Sequence, residues 1–316
     1  MAKVSIRLKT IATTINLLIP KGDWRPLEIF SRKPIKEEQV IESLSGRKLT
    51  IQIWRPEKPA KKSSPALIIY MPIIDGASDD PRLMNLANTF ARAGFVVASP
   101  WRSEDPFIMN LKDIDDVVST VLFLKDNTRL KVDYCGLFGI SSSNGPVIAA
   151  AADPRIKDSV GFIISFAGYY DIQNVLRFVM TGQYSYKDSR GTIEPHSYTR
   201  ELLAKALDYY NTDEELFLTG PEFEKLRQGL SPSRFVDELK ADFFIVHSTD
   251  DTMIPYTESM RLADALKERV PVHFALNAVF EHGTYKKINL ANMRRCYLPS
   301  VGGFYKFLYA LLSRHL

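Results

Sequence analysis

Three consecutive serines at positions 141–143 follow directly after the short apolar run 137–140. A run of this length predicts a buried strand, and the Ala-rich stretch after the serines predicts a helix. A serine at a tight turn between a strand and a helix projects its hydroxyl from the carboxyl edge of the sheet, where the next backbone N–H can bind an oxyanion. The arrangement is called a nucleophile elbow, and it predicts attack on a substrate by a serine hydroxyl.

The elbow of this chain departs from the usual spelling, G-x-S-x-G, because residues 139–143 are G-I-S-S-S. With Ser141 as the nucleophile, glycine stands two positions before and serine two positions after. With Ser143 in that role, Ser141 stands two before and Gly145 two after. We predict Ser141, because the turn should begin where the apolar run ends. Ser143 and a loop without catalytic function remain the alternatives.

A serine hydroxyl needs a base to take its proton, and this base is normally a histidine. His247 and His273 lie within predicted strands, which favours packing over catalysis. His282 lies beside a glycine in a loop after the last predicted strand, where a catalytic base is expected in an open α/β sheet. We therefore predict His282 as the base. The complete set of histidines is His196, His247, His273, His282 and His315.

A carboxylate is needed to orient the base and to support its positive charge. Residues 245–255 leave the end of another buried strand and contain the adjacent Asp250 and Asp251. An aspartate there could cap the following helix or act as the orienting acid. The residue types alone leave the choice between the two open, and the chain order is serine, aspartate, histidine.

The elements around these residues predict an α/β fold with a mostly parallel central sheet and helices on both faces, joined by right-handed crossovers. A hairpin over 39–54 opens the sheet, and short apolar strands alternate with helices after it. The remaining predicted strands are 66–70, 95–99, 137–140, 160–166, 243–247 and 272–276, and the predicted helices are 83–93, 111–125, 258–269 and 304–315.

The alternation breaks between residues 172 and 235, a stretch too long for an ordinary connection. It contains helical runs and many aromatic residues, so we predict an inserted helical cap over the carboxyl edge of the sheet. A surface excursion that packs on itself is the alternative. The predicted organisation is an N-terminal segment (1–38), a first part of the core (39–171), the cap (172–235) and a second part of the core (236–316).

From residue 39 to 316 the chain resembles the α/β-hydrolase superfamily. Residues 247–255, H-S-T-D-D-T-M-I-P, are similar to the family segment H-G-x-x-D-x-x-V-P, which assigns the catalytic acid to Asp251. Residues 281–283 resemble the family's base motif around His282, and 153–156 resemble its D-P-R-I. The resemblance implies a Ser141–Asp251–His282 triad. It is greatest to serine esterases, dienelactone-hydrolase-like and prolyl-oligopeptidase-like enzymes, which the motifs do not separate.

An oxyanion hole should use two backbone N–H groups. The first is expected from Ser142, directly after the nucleophile. The second, by the resemblance, comes from the loop after Tyr70, for which Ile73 is our choice and Ile74 the fallback. The family often has H-G-G in this loop, whereas residues 71–76 of this chain are M-P-I-I-D-G.

The hypothesis that follows is a serine hydrolase that cleaves carboxylic esters through an acyl-enzyme. The aromatic residues of the predicted cap indicate a small-molecule substrate with an apolar part. One alternative is an amide or peptide hydrolase with the same triad. Another is a non-catalytic binding protein with this fold, which the altered elbow and the missing H-G-G favour.

The composition is that of an ordinary globular protein. The chain has 316 residues, 45% hydrophobic and 25% charged, with a formal net charge of +4 and a pI near 8.8. The basic residues are scattered, which argues against nucleic acid as a partner. Two cysteines make neither a disulfide framework nor a metal site, and the motifs indicate no cofactor. No membrane span and no signal cleavage site are evident, so we expect a cytoplasmic protein.

Both ends of the chain allow two interpretations. The N-terminal segment alternates as a strand would over residues 4–9, yet Val4, Leu8, Ile11, Ile15 and Leu18 also form one helical face. That segment either packs on the body or a second subunit, or forms a basic amphipathic helix at a membrane surface, which we consider the less favoured interpretation. The apolar closing helix could pack in the core or at an interface between two copies.

Overall fold

An eight-stranded sheet forms the centre of the protein. The structure, a computed structural model, describes residues 5–18, 25–57, 63–71, 77–102, 110–213, 219–282 and 284–316. The strands of the sheet lie in the order β1-β2-β4-β3-β5-β6-β9-β10; β1 and β2 run antiparallel to their neighbours and the rest are parallel. The strands are β1 Ile35–Glu42, β2 Lys48–Arg55, β3 Ser64–Tyr70, β4 Val96–Trp101, β5 Val132–Ile140, β6 Val160–Phe166, β7 Gln183–Tyr186, β8 Ser189–Thr192, β9 Asp242–Ser248, β10 Val272–Asn277, β11 Phe280–Glu281 and β12 Thr284–Tyr285.

Helices cover both faces of this sheet. One apolar cluster joins the sheet to α4, α5 and α9, and a second joins its other face to α1, α3 and α11. This confirms the predicted α/β class with a mostly parallel sheet. The helices are α1 Ile6–Leu18, α2 Pro26–Phe30, α3 Pro81–Ala93, α4 Lys112–Asp126, α5 Asn144–Ala152, α6 Ile172–Thr181, α7 Ser197–Tyr209, α8 Pro221–Leu230, α9 Tyr256–Leu266, α10 Leu290–Asn292 and α11 Leu298–His315.

The N-terminal segment, for which the sequence allowed a helix or a strand, is the helix α1. Its buried side includes Thr10, Thr13 and Thr14, whose hydroxyls each donate to the carbonyl one turn earlier at 2.7–2.8 Å. The apolar face predicted from the spacing is not the buried face, because Leu8 and Ile11 are exposed. Intrahelical bonds satisfy the threonine hydroxyls and so remove the cost of burying them.

Residues 172–235 contain the helices α6, α7 and α8, in agreement with the helical runs predicted there. They also contain an antiparallel hairpin of β7 and β8, which was not predicted. Glu258 of α9 anchors the beginning of this stretch. Its buried carboxylate accepts from the backbone N–H groups of Tyr170 and Asp171 at 3.1 and 3.0 Å. Whether these residues constitute a separate cap domain stays a prediction.

The closing helix begins earlier than predicted, at Leu298 and not at residue 304. The prediction failed because Pro299 and the glycine pair at 302–303 are weak helix formers. Proline is tolerated in the first turn of a helix, where its missing N–H has no intrahelical acceptor. The π-helical turn Met293–Tyr297 runs directly into α11, so this proline follows a turn that is already formed. Among the described helices, none is long and apolar enough to cross a membrane.

Candidate active site

The turn between β5 and α5 holds Ser141 in a strained backbone conformation. Its φ is +57°, a left-handed value that side chains other than glycine rarely adopt. Gly139, two residues earlier, has no room for a side chain, because a Cβ there would lie 2.9 Å from Asn144 Cα. The elbow therefore requires glycine at 139 and presents the Ser141 hydroxyl at the carboxyl edge of the sheet.

Ser143 occupies the position where the usual motif has its second glycine. Its side chain is buried, and its Oγ lies 2.7 Å from the backbone N of Ile140, which donates to it. The same Oγ lies 2.7 Å from the carbonyl oxygens of Ile140 and Tyr70, either of which can accept its proton. Ser143 thus links the elbow to the end of β3 and does not face the substrate side.

The structure brings together the three residues predicted as a triad. His282 Nε2 lies 2.8 Å from Ser141 Oγ, and His282 Nδ1 lies 2.9 and 2.8 Å from Oδ1 and Oδ2 of Asp251. With the proton on Nδ1, the imidazole donates to the carboxylate and leaves Nε2 free to accept the serine proton. Hydroxyl, base and carboxylate stand in the relationship that nucleophilic catalysis requires.

Asp251 lies in a pocket of hydrogen-bond donors. Its Oδ1 accepts from the backbone N–H groups of Met253 and Ile254 at 2.8 and 3.0 Å, and the side chain is buried. Burial alone would raise the pKa of this carboxyl, but the attraction of His282 and hydrogen bonds from both histidines outweigh burial and lower the pKa from 3.8. The Asp251 carboxylate therefore remains ionised beside the base.

A second histidine supports the same carboxylate. His247 is buried; its Nε2 donates to the carbonyl of Ile254 at 2.9 Å and lies 3.3 Å from Asp251 Oδ2. Ser259 Oγ lies 2.7 Å from Nδ1, which is free to accept its proton. The sequence analysis interpreted His247 as a packed residue of a strand, and the structure adds this polar role.

The two neighbouring aspartates differ in their surroundings. Asp250 is exposed and forms an ion pair with Lys286, whereas Asp251 is buried against His282. The motif alignment had selected Asp251, and the structure places only that aspartate against the histidine.

Asn277, at the end of β10, shapes the loop that carries His282. Its Oδ1 accepts from the backbone N–H groups of Val279 and Phe280 at 3.0 and 3.4 Å, and its Nδ2 donates to the carbonyl of His247 at 3.1 Å. The strands β11 and β12 then pair, and His282 follows β11 with a φ of +43°. Asparagine is common in such turns, so an asparagine directly after a predicted strand was the available sequence signal.

Asn144 is another residue that the sequence analysis missed. It is buried, and its Nδ2 donates to the carbonyl of Ser141 at 2.9 Å. This hydrogen bond ties the first residue of α5 to the carbonyl of Ser141 and so supports the elbow. The available sequence signal was an asparagine directly after the three serines of the predicted turn, because an asparagine side chain can hydrogen-bond to the backbone of a turn.

Of the predicted oxyanion donors, the structure describes one. Ser142 lines the cavity beside Ser141, in the first turn of a helix, where N–H groups have no intrahelical acceptor. Its N–H is therefore available to an oxyanion. Ile73 and the fallback Ile74 lie outside the described residues, and Met71, which precedes them, lines the same cavity.

A buried ionic cluster lies behind β3. Arg47 Nη2 lies 2.9 Å from Asp113 Oδ1 and 2.8 Å from Asp116 Oδ2, while Arg102 Nη1 lies 2.6 Å from Asp113 Oδ1. The Tyr70 hydroxyl donates to Asp116 Oδ2 at 3.3 Å. Burial raises the pKa of both carboxyls to about 6, against the opposing attraction of Arg47. The cluster holds the end of β3, directly before the residues in which the second oxyanion donor was predicted, and the sequence analysis did not predict the cluster.

Ser141 and His282 open into a cavity of about 520 Å³, within the size range of small-molecule sites, whereas Asp251 is buried and does not line it. One side of it is formed by Tyr198 and Leu202 of α7, which belong to the predicted cap. Aromatic and aliphatic side chains from the sheet and from α3 and α11 form the other side. In the described part of the chain, no group of three or more His, Cys, Asp or Glu side chains is arranged to hold a metal ion.

Comparisons with known proteins agree with this architecture. Residues 195–294 match the Prolyl oligopeptidase family; this stretch is about a third of the chain and includes Asp251 and His282 but not Ser141. No curated protein matches the chain.

Solved structures with similar folds include peptidases and an esterase. The acylaminoacyl peptidase of Pyrococcus horikoshii has a TM-score of 0.61 at 15% identity, over 94% of this chain and 44% of that one. The esterase Pf2001 of Pyrococcus furiosus has a TM-score of 0.56 at 13% identity, over 93% of this chain and 94% of that one. A puromycin-hydrolyzing peptidase of Mycobacterium tuberculosis has a TM-score of 0.58 at 14% identity, over 90% of this chain and 39% of that one.

These comparisons confirm the resemblance that the motifs indicated. The protein has the α/β-hydrolase fold, and it is similar to prolyl-oligopeptidase-like peptidases and to an esterase. It spans less than half the length of the two peptidases and nearly all of the esterase. At 13–15% identity, the likeness to the solved structures establishes the fold, and the chemistry must be argued from the site.

Proposed function

We propose that this protein is a serine hydrolase that cleaves carboxylic esters through an acyl-enzyme. The observation that carries the proposal is the continuous chain of hydrogen bonds from Ser141 through His282 to Asp251, with Ser141 Oγ 2.8 Å from His282 Nε2. The family match over 195–294 and the fold shared with peptidases and an esterase support the same class.

Acylation is the first half of the proposed reaction. Ser141 Oγ attacks the ester carbonyl carbon while His282 Nε2 takes the hydroxyl proton, and the Asp251 carboxylate stabilises the resulting imidazolium. The N–H of Ser142, with a second donor expected from Ile73, stabilises the oxyanion. The bond from the carbonyl carbon to the alcohol oxygen then breaks, and His282 returns the proton to the departing alcohol.

Deacylation repeats these steps with water in place of serine. His282 Nε2 removes a proton from a water molecule, which attacks the acyl carbon of the Ser141 ester. The tetrahedral intermediate collapses, the carboxylic acid leaves, and Ser141 Oγ recovers its proton from His282. No cofactor enters either half of this scheme.

The cavity supports an ester with an apolar part. Its lining residues are mainly aromatic and aliphatic, which suits a substrate whose binding derives from buried apolar surface. An alkoxide leaving group is also expelled more easily than an amide nitrogen. The esterase Pf2001 shares its fold with this chain over nearly the whole length of both, and this likeness supports the proposal of an esterase.

Amide or peptide hydrolysis is the second candidate, favoured by the match to the Prolyl oligopeptidase family. The acylaminoacyl peptidase with this fold is more than twice as long as the matching region, so its activity does not transfer directly. Comparing kcat/KM for p-nitrophenyl esters with kcat/KM for aminoacyl p-nitroanilides of matched acyl groups ranks the two. A preference for the anilides would reject the ester proposal.

A fluorophosphonate probe tests the class directly, because it forms a covalent adduct with an activated serine. Intact mass and peptide mapping should find one adduct, on Ser141. Ser141→Ala should abolish it, and Ser143→Ala should still be labelled at Ser141, because the Ser143 hydroxyl is buried against backbone groups. Absence of an adduct on any of the three serines would favour the non-catalytic alternative.

A further inference from the structure

The cavity extends from Ser141 into the apolar layer between the sheet and the helices of one face. On the sheet side its wall is formed by Phe138, Ile164 and Val246, from the three neighbouring strands β5, β6 and β9. All three are almost completely buried from solvent, at 4%, 2% and 1% exposure. The wall therefore lies inside the molecule, beneath the edge at which the triad stands.

The helices that face these strands complete the inner wall. Leu17 of α1, with Phe307 and Leu308 of α11, lines the same cavity, and none of the three exceeds 6% exposure. All six inner-wall side chains are hydrocarbon, so they offer a ligand dispersion contacts and no hydrogen-bond partner. A polar or charged ligand group placed there would lose its hydration without compensation.

Polar side chains lie in the remaining part of the lining. Arg82, His196 and Glu281 belong to it, and Arg82 has a half-exposed side chain. The cavity thus has a buried apolar inner part, defined by Phe138, Ile164, Val246, Leu17, Phe307 and Leu308. Its outer part includes the exposed residues Arg82, His196 and Glu281, and Ser141 and His282 belong to the same lining.

We infer that the inner part binds the acyl chain of the substrate, and that this chain is a hydrocarbon chain of about ten carbons. The inference rests on the proposed function. In the acyl-enzyme the acyl group stays attached to Ser141 while the alcohol departs. An inner pocket surrounded by buried side chains suits the part that stays, whereas the leaving group must exit through the more exposed outer part.

The volume of the cavity is sufficient for a chain of this length. A methylene group occupies about the space of a water molecule in the liquid, roughly 30 Å³. Ten carbons then require about 300 Å³ of the 520 Å³ cavity, and the remainder accommodates the ester group and the alcohol. An acetyl group would leave most of the inner wall uncovered.

A series of p-nitrophenyl esters from acetate to hexadecanoate tests the inference, with each ester below its aggregation concentration. A methylene that is fully buried in an apolar pocket should raise kcat/KM by about fourfold, so the eight methylenes by which decanoate exceeds acetate would together give more than about 10⁴-fold. With partial burial the decanoate should still exceed the acetate by at least about a hundredfold. Beyond the capacity of the pocket kcat/KM should fall. A profile that is highest at acetate, with Ser141 labelled by fluorophosphonate, would overturn the acyl pocket and leave the proposed function intact.

A matched pair of variants locates the chain within the protein. Leu86 of α3 lines the cavity and is only partly buried, so Leu86→Trp should narrow the cavity without being forced into a packed core. The decanoate-to-acetate ratio of kcat/KM should fall at least about tenfold. Met84, two residues earlier and also partly buried, does not line the cavity, so Met84→Trp should leave the ratio unchanged. Equal ratios in both variants would contradict the placement.

Binding without turnover separates this inference from the proposed function. Decanoate titrated into the Ser141→Ala protein in a calorimeter should bind, and adding Leu86→Trp should weaken its Kd by at least about tenfold. If no ester is cleaved but decanoate still binds in this way, the catalytic proposal fails and the pocket stands. If decanoate does not bind while esters are cleaved, the pocket is wrong and the hydrolase stands.

Discussion

At the scale of single residues, the environment of Asp251 suits the roles proposed for Ser141 as nucleophile and for His282 as its base. The carboxylate accepts hydrogen bonds from two backbone N–H groups and from His282, and Nε2 of His247 lies 3.3 Å from its Oδ2. It therefore stays charged although it is buried. A fixed charge beside His282 favours the tautomer with the proton on Nδ1 and stabilises the imidazolium that forms during attack. The strained φ of Ser141 directs its hydroxyl toward the other nitrogen.

Asp251→Asn should lower kcat by about 10⁴-fold, because an amide can present its N–H to Nδ1 and hold His282 in the wrong tautomer. The control is Asp250→Asn at the adjacent position, which loses only an exposed ion pair with Lys286 and should retain kcat. The measurement is steady-state hydrolysis of the best ester of the series. Comparable loss of kcat in both variants would show that Asp251 is not the orienting acid.

At the scale of elements, the serine in place of glycine at 143 connects two strands. Its hydroxyl contacts the backbone of the elbow and the carbonyl of Tyr70, the last residue of β3. The residues in which the second oxyanion donor is predicted, 71–76, follow Tyr70 directly in the sequence. The departure from G-x-S-x-G therefore supplies a hydrogen-bonded link where the usual motif has only a close approach of two backbones.

Ser143→Ala should reduce the free energy of unfolding by about 1–3 kcal/mol, because the N–H of Ile140 and the carbonyl of Tyr70 lose a buried partner. Urea unfolding followed by circular dichroism measures the change. Ser142→Ala is the matched control, since Ser142 is only partly buried, and it should change the free energy by less than about 0.5 kcal/mol. A neutral effect of Ser143→Ala would mean that the link contributes nothing to stability.

The cluster of Arg47, Arg102, Asp113 and Asp116 gives the same region a dependence on pH. Burial raises the pKa of Asp116 from 3.8 to about 6, so between these values the folded state binds more protons than the unfolded state. The stability from this shift is fully present below about pH 4 and is lost as the pH rises through 6. Asp113 shifts in the same direction.

Asp116→Asn removes this titration, so the destabilisation that it causes should be larger at pH 4.5 than at pH 7.5. The difference between the two should be on the order of 2 kcal/mol, since one unit of pKa shift corresponds to about 1.4 kcal/mol. Unfolding in urea at both pH values, for the variant and the unchanged protein, measures it. A destabilisation that is larger at pH 7.5 would show that Asp116 is held ionised by Arg47 and not raised in pKa by burial.

At the scale of the whole molecule, the N-terminal helix is part of the body of the α/β-hydrolase fold. α1 packs with α3 and α11 over one face of the sheet, and Leu17 reaches the inner wall of the cavity. The Asn16 side chain accepts from the N–H of Leu27 at 3.3 Å, which ties α1 to α2. The interpretation of this segment as packed on the body thus agrees with its burial.

Leu18→Ala should lower the free energy of unfolding by about 2–5 kcal/mol, because Leu18 is buried in the apolar layer that α1 shares with the sheet. Leu8→Ala, the same change on the exposed side of the same helix, should alter the free energy by less than about 0.5 kcal/mol. Chemical unfolding of both variants measures the difference. Equal effects would mean that α1 does not present the side described here to the sheet.

Much of the fold was predictable because its signals are local. The apolar runs that became β6 and β9, and the periodic run that became α4, lie within a residue or two of their predicted bounds. Burial in a parallel sheet demands such continuous apolar runs, so composition identifies the strands. The hairpin of β7 and β8 was missed because its strands have four residues each and polar side chains, which carry no such pattern.

The sequence by itself determined the α/β class, the order serine, aspartate, histidine along the chain, and the position of each at the end of a predicted strand. It could do so because strand ends and turns are encoded by residues next to one another. Three results needed the tertiary structure: that Asp251 and His282, which are 31 residues apart, meet at 2.8 Å; that Ser143 bonds Tyr70; and that Arg47 pairs with Asp113 and Asp116. Each joins elements distant in the chain, and contacts of that kind are set by how the helices and strands pack, which no local pattern records.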